Sequence, residues 1–198
     1  MQSQVEDETR RLVVLVEEIT GLRSRWNGTV RIIDTATAAL TSQTPFLAKK
    51  EWSCGMTVVD TTLNSEGRWR SLLHEALHSV SVGLTEPDYR RFRGWEEAVV
   101  ETLQRMYRPE VFRRLGLNIL ETRFLTIEEN WRYNRAVDAL AAIAAERPEV
   151  PLRGFLEELL RMPLPDRPGY VFEWGRQAGD FAQFRRVYAA ASGLLRER

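Results

Sequence analysis

The chain has 198 residues, 28 basic and 28 acidic side chains and a formal net charge of zero. That length supports one domain with a substantial core, and the even charge excludes the broad positive field of a nucleic-acid binder or a polybasic membrane-surface protein. Cys54 is the only cysteine, so no internal disulfide framework exists and a reducing compartment is expected, with Cys54 as a small packed residue.

Predicted elements follow in chain order. Residues 1–8 lack the basic start and apolar core of a signal peptide, and no apolar run is long enough to span a bilayer, which gives a cytoplasmic expectation. A helix is predicted from about Glu6 to Leu22. After the Asn27-Gly28 turn, Thr29–Asp34 reads as a strand. Lys49 and Lys50 are the only lysines; the arginine-heavy remainder suits a GC-rich bacterial or phage genome. Met56–Thr62 is β-branched and short, a second strand ending at Asn64-Ser65, which are helix-capping residue types. Glu66 suits the first turn of the helix that follows, and Gly83 suits its end. On that helix Trp69, Leu72, Leu73, Ala76, Leu77 and Val80 form one apolar arc, with His74 and His78 on the neighbouring arc, facing an expected cleft.

Downstream the chain reads as mainly helical. Helices are predicted at Trp95 to about Leu115, with Pro109 a candidate break near Arg108, and at Ile127 to about Ala145. Prolines 148 and 151 mark a turn before a helix at Gly154–Arg161, and prolines 163, 165 and 168 a loop before a last helix near Trp174–Leu195. No repeat, low-complexity tract or linker divides the chain. One domain over 1–198 is expected, with residues 1–84 carrying the strands and the motif helix and 85–198 the helical part.

Both histidines lie in one run, His74-Glu75-Ala76-Leu77-His78. Successive helical residues turn by about 100°, so positions i and i+4 lie nearly above one another and two imidazoles at that spacing can grip one metal ion. In this HExxH arrangement the glutamate is not a ligand; Glu75 would take a proton from water activated by Zn²⁺ held at His74 and His78.

At these residues the chain resembles the zincin metallopeptidases, over the motif helix, the strand before it and the helix after it. The resemblance implies an α+β zincin-like fold: a small mixed or antiparallel sheet with an active-site helix, then a mainly helical C-terminal block forming the other wall of the cleft. The metzincin pattern is missing, because no third histidine exists. The segment Gly94–Glu101 instead looks like the second ligand helix of a gluzincin, which makes Glu97 the implied third ligand. Asp88, in the position of an aspzincin ligand, and Glu96 remain rivals. Glu101, one turn beyond Glu97, is a candidate hydrogen-bond partner for a ligand histidine, or simply part of a solvated acidic face paired to arginines.

The resemblance further places the strand before the motif helix at the sheet edge, where an extended substrate can add as another strand. Tyr133 is the candidate donor to the reaction's oxyanion, with Tyr89 and Tyr107 as alternatives. The aromatic residues of the C-terminal block, Phe155, Phe172, Trp174, Phe181, Phe184 and Tyr188, are expected mostly in the core, with a specificity pocket as the other reading. The implied activity is zinc-dependent cleavage of a specific peptide or protein substrate, endopeptidase rather than exopeptidase, without nucleic-acid or membrane partners. A phage-type regulatory peptidase acting on a repressor is compatible with the same residues. The alternative is a non-catalytic zincin-like binding or structural module of a phage or mobile element.

Overall fold

The computed structural model describes residues 2–41, 46–63 and 65–196. It is mixed α and β, mostly helical, with one small sheet. Asn64, a predicted cap, lies outside the described residues. Two compact units are formed, Met1–Val80 with Tyr107–Phe124, and Ser81–Met106 with Leu125–Arg198.

In the first unit, helix α1 (Gln2–Thr20) buries Val5, Thr9, Leu12, Val13, Val16 and Thr20, a stripe at helical spacing. Gly21, with φ of 69°, ends it by donating to the Glu17 carbonyl. Strand β1 (Val30–Ile33) follows, then helix α2 (Thr35–Thr41), strand β2 (Ala48–Lys50), strand β3 (Met56–Val59) and the short helix α3 (Asp60–Leu63). The order in the sheet is β1-β3-β2, with β1 parallel and β2 antiparallel to β3, so Val30 faces Met56 and Ala48 faces Val58. Helix α4 (Gly67–Val80) packs on α1 and β2.

Three expectations change here. The strand before α4 is central rather than at the edge, because β2 pairs with its second side; β2 itself escapes sequence reading, being three residues long with two lysines. The predicted strand 56–62 stops at Val59, where Asp60 opens α3. Cys54 is half-buried rather than packed, in the Glu51–Gly55 turn joining β2 to β3, with φ of 69°.

In the second unit, Thr85 and Asp88 open helix α5 (Glu86–Leu115): the Thr85 hydroxyl donates to the Asp88 carboxylate at 2.6 Å. This start is well before the predicted Trp95. Phe92 leaves helical geometry at φ −124°, ψ 28°, and the helix resumes and runs through Pro109 without the expected break. Gly94 sits where a Cβ would lie 2.5 Å from the Leu195 carbonyl oxygen, so only glycine fits that approach.

The predicted helix 127–145 is two helices, α6 (Thr122–Glu129) and α7 (Asn134–Ala145). The Asn134 amide donates to the carbonyls of Glu128 and Glu129 at 2.6 and 3.1 Å, closing the end of α6 with a side chain. Helix α8 (Leu152–Leu160) matches expectation closely. The predicted loop before the final helix contains a further helix, α9 (Arg167–Trp174), and the final helix itself begins later than expected, as α10 (Phe181–Arg196). Between them Gly175 lies under the Phe184 ring, and the Asp180 carboxylate accepts from the Gln183 N–H at 2.8 Å to start α10. The block's aromatic residues pack on one another: Phe155 on Trp174 with centroids 4.5 Å apart, Phe172 on Tyr188 at 5.4 Å and Phe184 on Tyr188 at 5.8 Å. Among the described residues no helix is long and apolar enough to cross a membrane.

Two stability changes follow. Gln104 on α5 is fully buried, and neither its amide nitrogen nor its oxygen has a hydrogen-bond partner. Gln104→Met removes that unsatisfied amide at similar volume, and urea unfolding should show a gain of roughly 1–2 kcal/mol. Gly94→Ala forces a methyl against backbone, and the same measurement should show a loss of about 1–3 kcal/mol.

Candidate metal centre

Helix α4 is buried around its whole circumference from Trp69 to Val80. The apolar arc meets the core as predicted, but the opposite arc does not open widely: His74, Glu75 and His78 are 6, 7 and 5% exposed. Burial of the polar arc requires internal partners. The Lys50 backbone N–H, on edge strand β2, donates to the Glu75 carboxylate at 2.6 Å and holds it in place. The Ser79 hydroxyl donates to the Ala76 carbonyl at 2.6 Å and lies 2.7 Å from the Ser24 hydroxyl.

The two histidine Nε2 atoms stand 3.1 Å apart, with ring planes at 77°. Two imidazole lone pairs facing at that distance repel unless a proton or a cation lies between them. Two nitrogens of a tetrahedral zinc site, each ~2.0–2.1 Å from the ion, stand about 3.3 Å apart, close to the spacing seen. Glu97 completes the group: one ligand atom from each of His74, His78 and Glu97 lies within 4.8 Å of the other two, and all three residues are buried. Such a group can hold a metal ion, and two imidazoles with one carboxylate are donors suited to zinc among several divalent ions.

The residues beside Glu97 sort the rival assignments. The Tyr89 hydroxyl donates to Glu97 Oε1. Burial, and then the negative charge of Glu97, push the Tyr89 phenol well above its usual range, so it stays protonated as a donor. Tyr133 is likewise raised, by burial first and Glu97 second, and its hydroxyl accepts from Arg93 Nη2 at 2.8 Å. Arg93 lies beside both phenol rings, 5.7 Å from the Tyr89 centroid and 5.6 Å from that of Tyr133.

Glu96 points elsewhere, into a buried ion pair with Arg167 at 2.7 Å that Ser81 closes by donating to Glu96 at 3.0 Å and accepting from Arg167 at 2.8 Å. Asp88 serves the start of α5 with Thr85. Neither belongs to the metal-competent group. Glu101 is fully buried rather than on a solvated face, and it accepts from Arg105 Nε at 2.9 Å. Tyr107 is fully buried.

Sequence reasoning missed Arg93 and the Lys50 N–H. The spacing Tyr89, Arg93, Glu97, four residues apart each, was a signal for the first; no side-chain pattern could reveal the second, which is a backbone group. The chain matches no family model, no curated protein and no solved structure in three comparisons.

The hydrogen bond from Tyr89 to Glu97 orients a candidate ligand. Tyr89→Phe should weaken zinc affinity by about 10–100-fold, read by competition with a chromophoric chelator, whereas Glu97→Ala should remove stoichiometric binding altogether.

Proposed function

We propose that the protein is a zinc-dependent peptidase that cleaves peptide bonds in a selected protein substrate, with Glu75 as general base. The observation that carries this reading is the buried grouping of His74, His78 and Glu97, with Glu75 between the two histidines in sequence. Zinc in such a site supplies a Lewis acid that polarises the peptide carbonyl and makes water a nucleophile near neutral pH.

The chain's own groups supply the rest. Glu75 takes the proton of the attacking water on one carboxylate oxygen and delivers it to the departing amine, while its other oxygen stays on the Lys50 N–H. His74 and His78 hold their Nε2 atoms toward a common point, and Tyr89 keeps the Glu97 carboxylate turned. Tyr133, protonated and fixed by Arg93, is the phenol assigned to donate to the developing oxyanion. Retention of Glu75 favours catalysis over the non-catalytic binding module, since metal binding alone needs no base at that position.

The test separates binding from chemistry. Glu75→Gln should keep zinc content at the wild-type level by elemental mass spectrometry yet lose cleavage of any peptide that wild type cuts in a diverse library analysed by mass spectrometry. A zinc-loaded wild type that cuts nothing in that library would sink the enzyme reading, and a wild type that takes up no zinc would sink the metal site as well.

A further inference from the structure

The second unit carries a cleft of about 990 Å³ whose wall includes Arg90, Arg91, Arg93 and Arg196 and no carboxylate. Overall the chain is neutral, so four guanidinium groups on one concave surface are a local segregation of charge rather than a general excess. Arg90 pairs with Glu86. Among the described residues Arg91, Arg93 and Arg196 have no carboxylate within ion-pair distance. Arg91 lies over the Phe92 ring at 5.1 Å, and Arg93 has its Nε buried without a hydrogen-bond partner. A buried, unused guanidinium N–H is costly and is recovered when an anionic acceptor arrives.

The rest of the wall is apolar and stiff. Pro87, Pro165 and Pro168 line it together with Phe92 and Tyr89. Proline and aromatic surfaces suit an extended peptide backbone, and clefts lined by one sign of charge concentrate ligands of the other. Tyr89 belongs both to this wall and to the Glu97 contact, which links the cleft to the candidate ligand through a single side chain.

We propose that this cleft binds an acidic stretch of a polypeptide, so that the substrate is a protein with glutamate- or aspartate-rich sequence beside the cleaved bond. The substrate class rests on the peptidase reading; the acidic-peptide site does not. Arg93 is the deep anchor, with Nη2 held by the Tyr133 hydroxyl and Nε without a hydrogen-bond partner. Arg91 and Arg196, both exposed, supply the outer charge. A chain of zero net charge lacks the extended basic face that phosphate backbones require.

Binding is read on Glu75→Gln protein, with and without added zinc, by fluorescence anisotropy with a short labelled peptide alternating glutamate and proline. Saturable binding that weakens with added salt is expected, with no binding of the same peptide carrying lysine for glutamate. The pair Arg91→Glu with Arg196→Glu should weaken binding about tenfold or more, at unchanged circular dichroism and zinc content. If that pair misfolds, Arg91→Gln with Arg196→Gln should still weaken it by several-fold. Equal binding of the acidic and lysine peptides, unchanged affinity in a folded variant pair, or tighter binding of an oligothymidylate overturns the proposal. Because no turnover is needed, a wild type that cleaves nothing leaves the binding result standing. Cleavage confined to peptides without acidic residues overturns the substrate class alone.

Discussion

A helix enclosed on every side must find an internal partner for each polar side chain it carries, and α4 sets that condition for the protein. Its apolar arc is ordinary core. Its polar arc needs a backbone N–H from β2 for Glu75, a serine from the segment after α1 for Ser79, and a proton or a cation between the Nε2 atoms of His74 and His78. The three-stranded sheet is small, yet it is the sheet that puts Lys50 where Glu75 can use it. Removing β2 would leave a buried carboxylate without its backbone donor, a loss on the scale of a few kcal/mol.

The same rule governs α5, where charged groups are buried and each has been given a distinct neighbour. Glu96 goes to Arg167 and Ser81, Glu97 to Tyr89, and Glu101 to Arg105. Three glutamates within six residues therefore do three different jobs. Burying an ion pair as dry as Glu96 with Arg167 gains little net stability over an apolar pair, but breaking it by removing one partner strands the other charge. The pairing thus fixes the rotation of α5 about its axis and with it the direction of Glu97.

Reading the sequence found the motif helix, its apolar arc, the strand after Asn27-Gly28 and Glu97 as the residue to stand with the two histidines, because each depends on local periodicity or on spacing within a motif. What it missed depends on contacts between distant segments. Strand β2 has no alternation to detect and exists because β3 offers it a free side. The breaks at 130–133 and 175–180 come from the Asn134 amide and from the Phe184 ring over Gly175, neither of which interrupts helical periodicity in the sequence. The edge position assigned to β3 failed for the same reason: pairing partners are a property of the sheet, not of the strand. The zincin resemblance, by contrast, lies in a few residues, and the activity it implies stands as a proposal.

The distribution of amines has a practical side. Lys49 and Lys50 are the only lysines, and both lie on β2, where Lys50 contributes the N–H that holds Glu75. Lys49 Nζ pairs with Glu51 at 3.3 Å and the Lys50 ammonium lies over the Trp52 ring. Apart from the α-amino group, an amine-directed label or crosslinker therefore has a single address on this molecule. That address is the edge strand against the candidate general base, so a fluorophore attached there reports on the strand's surroundings without any cysteine having to be engineered. Amine immobilisation on a sensor surface, equally, would tether the protein by the very strand that a binding measurement needs undisturbed.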